Sequence, residues 1–297
     1  MKSDWKTQMQ NNAALVEEAL EKYLETPDTD LSVLYESMRY SALSGGKRIR
    51  PFLVLEFCRM FGGDVQTALP FACAIECVHA SSLIHDDMPC MDDDDLRRGK
   101  PTNHIVFGED IALLAGDALI TKGYELASTN AFAEPQIALS ATAMLLKNAG
   151  AVGMMGGQQI DLWGEKNAVD FPLLLKMHAK KTGALIISSA KLGCMAAGIS
   201  SGEDPRMKAA ATYAENIGLA FQVIDDILDA TSDDVTLGKR VHADVRMEKK
   251  TFLSYMTIEE AYHYASEKTK IAVSAIEGFE NSEILTELAK YLLDRKK

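Results

Sequence analysis

Three stretches of this chain, Leu69–Ile84, Ile111–Ile120 and Leu185–Ile199, are apolar on nearly every side when wound as α-helices. A helix with no polar face cannot sit on a rim, so these segments predict a chain folded as a helical bundle with whole helices inside. Around them the periodicity predicts further helices over Leu31–Ala42, Pro51–Phe61, Val65–Asp87, Asp110–Thr129, Glu134–Ala149, Pro172–Ala197, Pro205–Asp229, Ile258–Ile276 and Ser282–Asp294. Leu15, Ala19, Leu20 and Tyr23 make one more stripe beside Glu17, Glu18, Glu21 and Lys22. Such i, i+3, i+4 spacing marks an amphipathic helix. Pro51, Pro172 and Pro205 suit first-turn positions, and no Asn-Gly or Asp-Gly hairpin signature appears. With no Pro/Gly/Ser linker and no short repeat, residues 1–297 read as a single large all-α domain.

Charge narrows the function. The 31 Lys and Arg against 43 Asp and Glu leave a net charge of −12, which argues against a general nucleic-acid binder relying on clustered cations. No apolar run approaches the ~18–20 residues of a membrane span, and the polar MKSDWKTQMQ start lacks a secretory apolar stretch. Cys58, Cys73, Cys77, Cys90 and Cys194 form no CxxC pair and read as small core residues of a reduced, cytoplasmic protein.

Acidity is concentrated in two places. His85-Asp86-Asp87-Met88-Pro89-Cys90-Met91 followed by Asp92 to Asp95 puts six carboxylates within ten residues, directly after an apolar helix. Pro89 should end that helix near Asp87, so the later aspartates lie on a turn that folds back. Carboxylates at a helix C-terminus repel the macrodipole and one another. A hard cation resolves the conflict, and Mg²⁺ characteristically uses one or two carboxylates together with substrate phosphates. The second cluster, Asp225-Asp226-Ile227-Leu228-Asp229, follows Gly218–Ile224. Asp225 and Asp229 share a helix face, with Asp226 on its shoulder.

Basic residues answer both clusters. Ser44-Gly45-Gly46-Lys47-Arg48-Ile49-Arg50-Pro51 sets three cations just before a helix start, a natural anion site. Arg97 and Arg98 follow the first cluster, Lys181-Thr182-Gly183 interrupts an apolar helix, and Lys239 and Lys249 flank Asp244. Carboxylates and cations in this proximity point to a phosphate ligand bridged through metal.

The stretches GGKRIRP (45–51), LIHDDMPCMDDDDLRRGKPTNH (83–104), GDAL (116–119), GGQQID (156–161), KTGAL (181–185), FQVIDDILD (221–229) and LGK (237–239) together resemble the short-chain trans-polyprenyl diphosphate synthases, the farnesyl and geranylgeranyl diphosphate synthase family, over essentially the whole chain. The resemblance implies a single large antiparallel helical bundle of the isoprenoid synthase type around a deep central cavity, usually a homodimer. It implies a head-to-tail prenyltransferase condensing isopentenyl diphosphate with dimethylallyl, geranyl or farnesyl diphosphate.

Carried onto this sequence, the family pattern makes Asp86, Asp87 and Asp92, with Asp225, Asp226 and Asp229, the ligands of several Mg²⁺ ions on the allylic diphosphate. Arg97, Lys181, Lys239 and Lys249 would contact the same leaving group. Lys47, Arg50, His79 and Arg98 would hold isopentenyl diphosphate. Thr182 and Gln222 would stabilise the allylic cation, with Gln158 and Asp161 behind the metal-bound water. Ser82 and Ser81, four and five residues before Asp86, occupy the family's chain-length positions. Their small size implies an open floor and geranylgeranyl rather than farnesyl diphosphate as product, with Phe71, Met155 or a partner-subunit residue as a deeper floor. One departure stands out: His242 occupies a position where the family normally carries glycine, and histidine adopts a left-handed backbone less readily.

Two other classes compete. His85-Asp86 is also the pair of an all-α HD-type metal-dependent phosphohydrolase, which needs further histidine ligands and leaves the second aspartate cluster unexplained. A non-catalytic regulatory subunit of a prenyl synthase would be expected to lack an aspartate motif, and both are intact here. Within the fold, a terpene cyclase would have no use for Lys47, Arg50, His79 and Arg98.

Overall fold

The computed structural model describes residues 4–231 and 250–295. Its helices are α1 (Trp5–Tyr23), α2 (Ser32–Ala42), α3 (Ile49–Met60), α4 (Val65–Asp86), α5 (Asn103–Phe107), α6 (Glu109–Ser128), α7 (Pro135–Ala149), α8 (Met154–Gly164), α9 (Phe171–His178), α10 (Ala184–Ala196), α11 (Pro205–Thr231), α12 (Ile258–Ile276) and α13 (Glu283–Asp294). The only sheet among the described residues is a two-residue ladder of β1 (Leu96–Arg97) on β2 (Lys100–Pro101). The fold is all-α, as the sequence predicts.

Helix α4 is the centre. It packs on α1, α2, α3, α6 and α10, and Phe71, Ile75, Cys77 and Val78 are sealed from solvent. Small residues set the close approaches. A Cβ on Gly123 of α6 would lie 2.7 Å from the Ala74 carbonyl of α4, and one on Gly193 of α10 would lie 2.5 Å from the Val54 carbonyl of α3. A second apolar cluster, with Leu174, Met177, Val223, Ile224, Phe252 and Ala265, joins α9, α11 and α12. Polar caps fix where helices begin. Asp64 accepts the Gln66 amide at 2.9 Å before α4, Asp170 accepts the Leu173 amide at 2.9 Å before α9, and Thr257 and Glu260 close a capping box on α12.

The structure departs from the sequence reading in several places. The stretch 172–197, predicted as one helix, is divided by a five-residue π-helical turn, Ala179–Gly183. Helix α8 was not predicted, because Gly156 and Gly157 weaken its pattern. The hairpin turn is Arg98-Gly99 rather than an Asn-Gly or Asp-Gly pair, with φ of 53° and 75°, both positive as a type I′ turn requires. The stretch 111–120 is not wholly interior: Ala112, Ala115 and Leu119 are buried, but Leu113 and Leu114 are about half exposed. Helix α4 and the stretch 135–164 are long and apolar enough to span a membrane, contrary to the expectation from uninterrupted runs. In α4 that apolarity is spent inside the protein, where 72% of the apolar window is buried. Four of the five cysteines are buried as expected, and Cys90 is exposed.

Candidate active site

The end of α4 builds the first half of the site. The helix stops at Asp86, one residue earlier than predicted, with Asp87 as its C-cap. The chain then folds back, the Asp92 amide donating to the Asp86 carbonyl at 2.9 Å and the Asp94 amide to the Asp87 carbonyl at 3.3 Å. Burial pushes the Asp86 carboxyl up to about 6, opposed by the nearby Lys181 ammonium and reinforced by the Asp92 charge. Asp87 differs sharply from its neighbour. It is almost wholly buried and takes the Arg97 Nε at 2.8 and 2.7 Å on its two oxygens, with Nη2 beside them.

The second half is on α11. Asp225 and Asp226 are also pushed up to about 6, each chiefly by burial. Asp226 accepts the Phe252 amide at 2.8 Å and the Gln222 Nε2 at 3.1 Å. Gln222 in turn accepts the Thr182 hydroxyl at 3.4 Å. Asp225 accepts from Arg295, whose guanidinium lies 4.2 Å from the Phe221 ring centroid. Asp229 is exposed at the end of the same helix.

Lys181 and Thr182 join the two halves. A π turn holds one more residue per turn than an α turn, and here adjacent side chains reach opposite clusters, Lys181 within the field of Asp86 and Thr182 on the Gln222–Asp226 pair. Gly157 of α8 makes room for the turn, since a Cβ there would lie 2.1 Å from the Lys181 amide nitrogen. Lys181 is braced by Asp161 at 2.5 Å, so the contact Asp161 makes is with this lysine. The Gln158 Nε2 is buried with no hydrogen-bond partner.

A separate basic pocket forms ahead of α3. Arg50 donates to the His79 Nε2 at 3.2 Å, and burial together with Arg50 and Arg98 holds the imidazole well below its ordinary value, hence neutral. The Arg50 Nε is buried without a partner. Arg98, thrown outward by the left-handed hairpin turn, donates to Ser44 Oγ at 3.2 Å and to the Gly45 carbonyl. Its guanidinium covers Gly46, where a Cβ would fall 2.6 Å from the Arg98 Cζ. Lys47 is exposed, its ammonium pushed down by partial burial and by Arg295 but drawn up by Asp225.

Ser81 is fully buried, and Ser82 returns its hydroxyl to the His79 carbonyl at 2.8 Å. Phe71 is sealed in the core, whereas Met155 is about half exposed on α8. His85 places its Nε2 3.3 Å from the Leu113 carbonyl and 3.6 Å from Asp117, neither of them a histidine. Lys239, Lys249, His242 and Asp244 lie outside the described residues. Sequence reasoning missed Arg295, which carried no signal beyond a basic C-terminal run, and the depth of Arg48, which in the sequence looks no different from Lys47 and Arg50.

No group of three or more Asp, Glu, His or Cys side chains among the described residues converges into an all-protein metal cage. Mg²⁺ characteristically takes one or two carboxylates and completes its shell with substrate phosphates. Asp86 in one cluster and Asp225 and Asp226 in the other each resist their own charge chiefly through burial, and a bound cation would relieve that cost.

The fold and these paired acidic clusters define a prenyl synthase framework, and the chain belongs to the polyprenyl synthetase family, whose pattern matches residues 31–292. It is 40% identical over 298 residues to geranylgeranyl pyrophosphate synthase 7, a chloroplastic protein of Arabidopsis thaliana, covering 99% of this chain and 84% of the relative. Among solved structures it is similar to an FPP/GFPP synthase from Zymomonas mobilis, with a TM-score of 0.88, 36% identity, and 97% and 98% of the two chains covered. It also resembles geranyltransferase from Helicobacter pylori complexed with magnesium and isoprenyl diphosphate, with a TM-score of 0.85, 32% identity, and 99% and 98% covered.

Proposed function

We propose that this protein condenses isopentenyl diphosphate with an allylic diphosphate in head-to-tail fashion, releasing diphosphate and yielding an all-trans product, with geranylgeranyl diphosphate favoured. The observation that carries this reading is the division of labour around the π turn. Buried carboxylates lie on one side at Asp86 and on the other at Asp225 and Asp226, while Arg50, His79 and Arg98 form a cationic pocket apart from them.

Asp86, Asp92, Asp225, Asp226 and Asp229 would hold magnesium on the allylic diphosphate, with Asp87 keeping Arg97 in place. Magnesium, when bound, neutralises charge on the departing diphosphate. Lys181 adds a fixed cation at the same leaving group, and Lys239 and Lys249 are proposed to do the same. The allylic C–O bond breaks with its electron pair leaving on diphosphate. Lys47, Arg50 and Arg98 hold the isopentenyl diphosphate so that its double bond supplies the electrons of the new C–C bond, which is catalysis by positioning. Neutral His79 accepts from Arg50, aligning its guanidinium. The Gln222 carbonyl oxygen and Thr182 hydroxyl line the path of the cation, and a proton passes to the released diphosphate to restore the alkene.

A homodimer fits the same reading. Ile105 and Val106 of α5, Leu113 and Leu114 of α6, and Leu139 and Leu146 of α7 are exposed, and α6 packs on both α5 and α7. Apolar residues in that number on neighbouring helices suit a second copy.

The decisive experiment incubates purified protein with magnesium, isopentenyl diphosphate and, separately, dimethylallyl, geranyl and farnesyl diphosphates, and reads product length by mass spectrometry. Isopentenyl-dependent products that vanish with EDTA support the reading. A folded protein giving none, with any primer, overturns it.

A further inference from the structure

Arg48 stands between two proposed substrate cations, yet its own guanidinium is buried. Its side chain is 2% exposed and donates to Glu76 at 2.5 Å, to Glu17 at 3.2 Å and to the Ala42 carbonyl at 2.8 Å. Those partners belong to α4, α1 and the end of α2, so one side chain ties the loop ahead of α3 to three elements. The backbone at Arg48 is left-handed, with φ 47° and ψ 37°, while its carbonyl accepts the first bond of α3, from the Phe52 amide at 3.0 Å. On an uninterrupted helix Lys47 and Arg50, three residues apart, would share a face. The reversal at Arg48 parts them, leaving Lys47 exposed within the field of Asp225 while Arg50 turns to His79.

Glu76 is the counter-charge to this arrangement. It is 3% exposed and lies on α4 one turn before His79, so Arg48 meets Glu76 as Arg50 meets His79. Its field also reaches Arg50 and Arg98, holding together guanidinium groups that would otherwise repel one another. We propose that Glu76, acting through Arg48, is a positioning residue for isopentenyl diphosphate: it fixes where Lys47 and Arg50 present their charge without touching the substrate. This rests on the prenyl-transfer reading above.

The test separates positioning from simple stability. Glu76→Gln leaves Arg48 buried without its buried charge partner, keeping only the half-exposed Glu17, whereas Arg48→Met with Glu76→Gln removes both charges and relieves that penalty. Melting temperature, kcat, the KM for each substrate, and calorimetric binding of isopentenyl diphosphate in EDTA are measured for both. The inference expects both variants to raise the isopentenyl diphosphate KM and Kd by about tenfold, with the allylic KM within about twofold of wild type. The double variant should recover melting temperature without recovering affinity. Glu76→Asp, which keeps the charge, should restore most of the affinity. Recovery of affinity along with stability in the double variant overturns the inference, as does an equal rise in both KM values. Should Glu76→Gln fail to fold, the double variant alone decides. A wild-type protein with no isopentenyl-dependent product overturns the prenyl-transfer reading and this inference together. An active wild type with unaffected variants overturns this inference alone.

Discussion

Arg97 closes on Asp87 with its Nε 2.8 and 2.7 Å from the two carboxylate oxygens. Asp86, one residue earlier, is drawn instead into the field of Lys181 and Asp92. Two adjacent aspartates of one motif thus differ in kind, the first resisting its charge and the second neutralised by a guanidinium fork. Asp86→Asn should lower kcat/KM by about 10³-fold or more, since it removes charge aimed at the reacting diphosphate, and should leave the melting temperature of the ligand-free protein unchanged or higher. Asp87→Asn should lower the melting temperature by about 5 °C, because it strands a largely buried arginine. Thermal unfolding beside steady-state kinetics distinguishes them, and equal destabilisation by both would refute the distinction.

The raised carboxyls set a pH dependence with a definite sign. In the folded protein Asp86 titrates at about 6, against 3.8 for the unperturbed group. Between these values the folded state binds more protons than the unfolded, so this group's contribution to stability falls as pH rises through that window. The melting-temperature advantage of Asp86→Asn over wild type should therefore be absent near pH 4, grow towards pH 6 and level off above it. Protons also compete with the metal, so the magnesium concentration for half-maximal activity should rise as pH falls below about 6. A half-saturating concentration that stays flat from pH 5 to pH 7.5 would contradict this.

Two glycines make room for functional side chains. Gly157→Ala sets a methyl carbon 2.1 Å from the Lys181 nitrogen, against backbone that cannot yield. It should displace Lys181 and Thr182 and lower kcat by about 10²-fold. Gly46 has φ +112° and lies beneath the Arg98 guanidinium, so Gly46→Ala should act on one substrate, raising the KM for isopentenyl diphosphate by about tenfold with little change for the allylic one. Initial-rate kinetics with each substrate varied in turn reads both, and a shared effect on the two KM values would count against the separate pocket.

Ser81 is fully buried on α4, one turn before His85. If it forms the floor under the growing chain, Ser81→Phe should shift the dominant product from geranylgeranyl to farnesyl diphosphate, seen directly in the mass spectrum. A variant that folds and still makes the longer product would put the floor elsewhere.

Most helices were legible because an apolar face at 3.6-residue spacing survives any detail of packing. The end of α4 was legible because Pro89 forbids its continuation, and the two acidic clusters because few structural roles need so many carboxylates together. The rest depended on contacts between distant segments. Nothing in Ala-Lys-Lys-Thr-Gly distinguishes a π turn from an α turn; the insertion shows only where α8 approaches through Gly157. Arg48 sits in a run with Lys47 and Arg50, and only Glu17 and Glu76, 31 and 28 residues away, make it interior. Arg295 lies 70 residues from the Asp225 it meets.

The π turn has a consequence for how this scaffold can vary. An α-helix advances about 100° per residue, and a π turn differs from it by one residue gained. Substitution alone therefore leaves the count of residues between α9 and α10 unchanged, whereas deleting one residue within 179–183 could restore a regular helix. Because the π turn fits its extra residue within a single turn, that deletion would leave the phase of α10 on α9 nearly as it is, so the wholly buried Leu185, Ser188, Ser189 and Leu192 would keep their neighbours. Lys181 and Thr182 would lose their opposed reach in the same step. The coupling of the two acidic clusters is in this sense all-or-nothing, so variation within the family should leave the length of this segment fixed while the side chains around it drift.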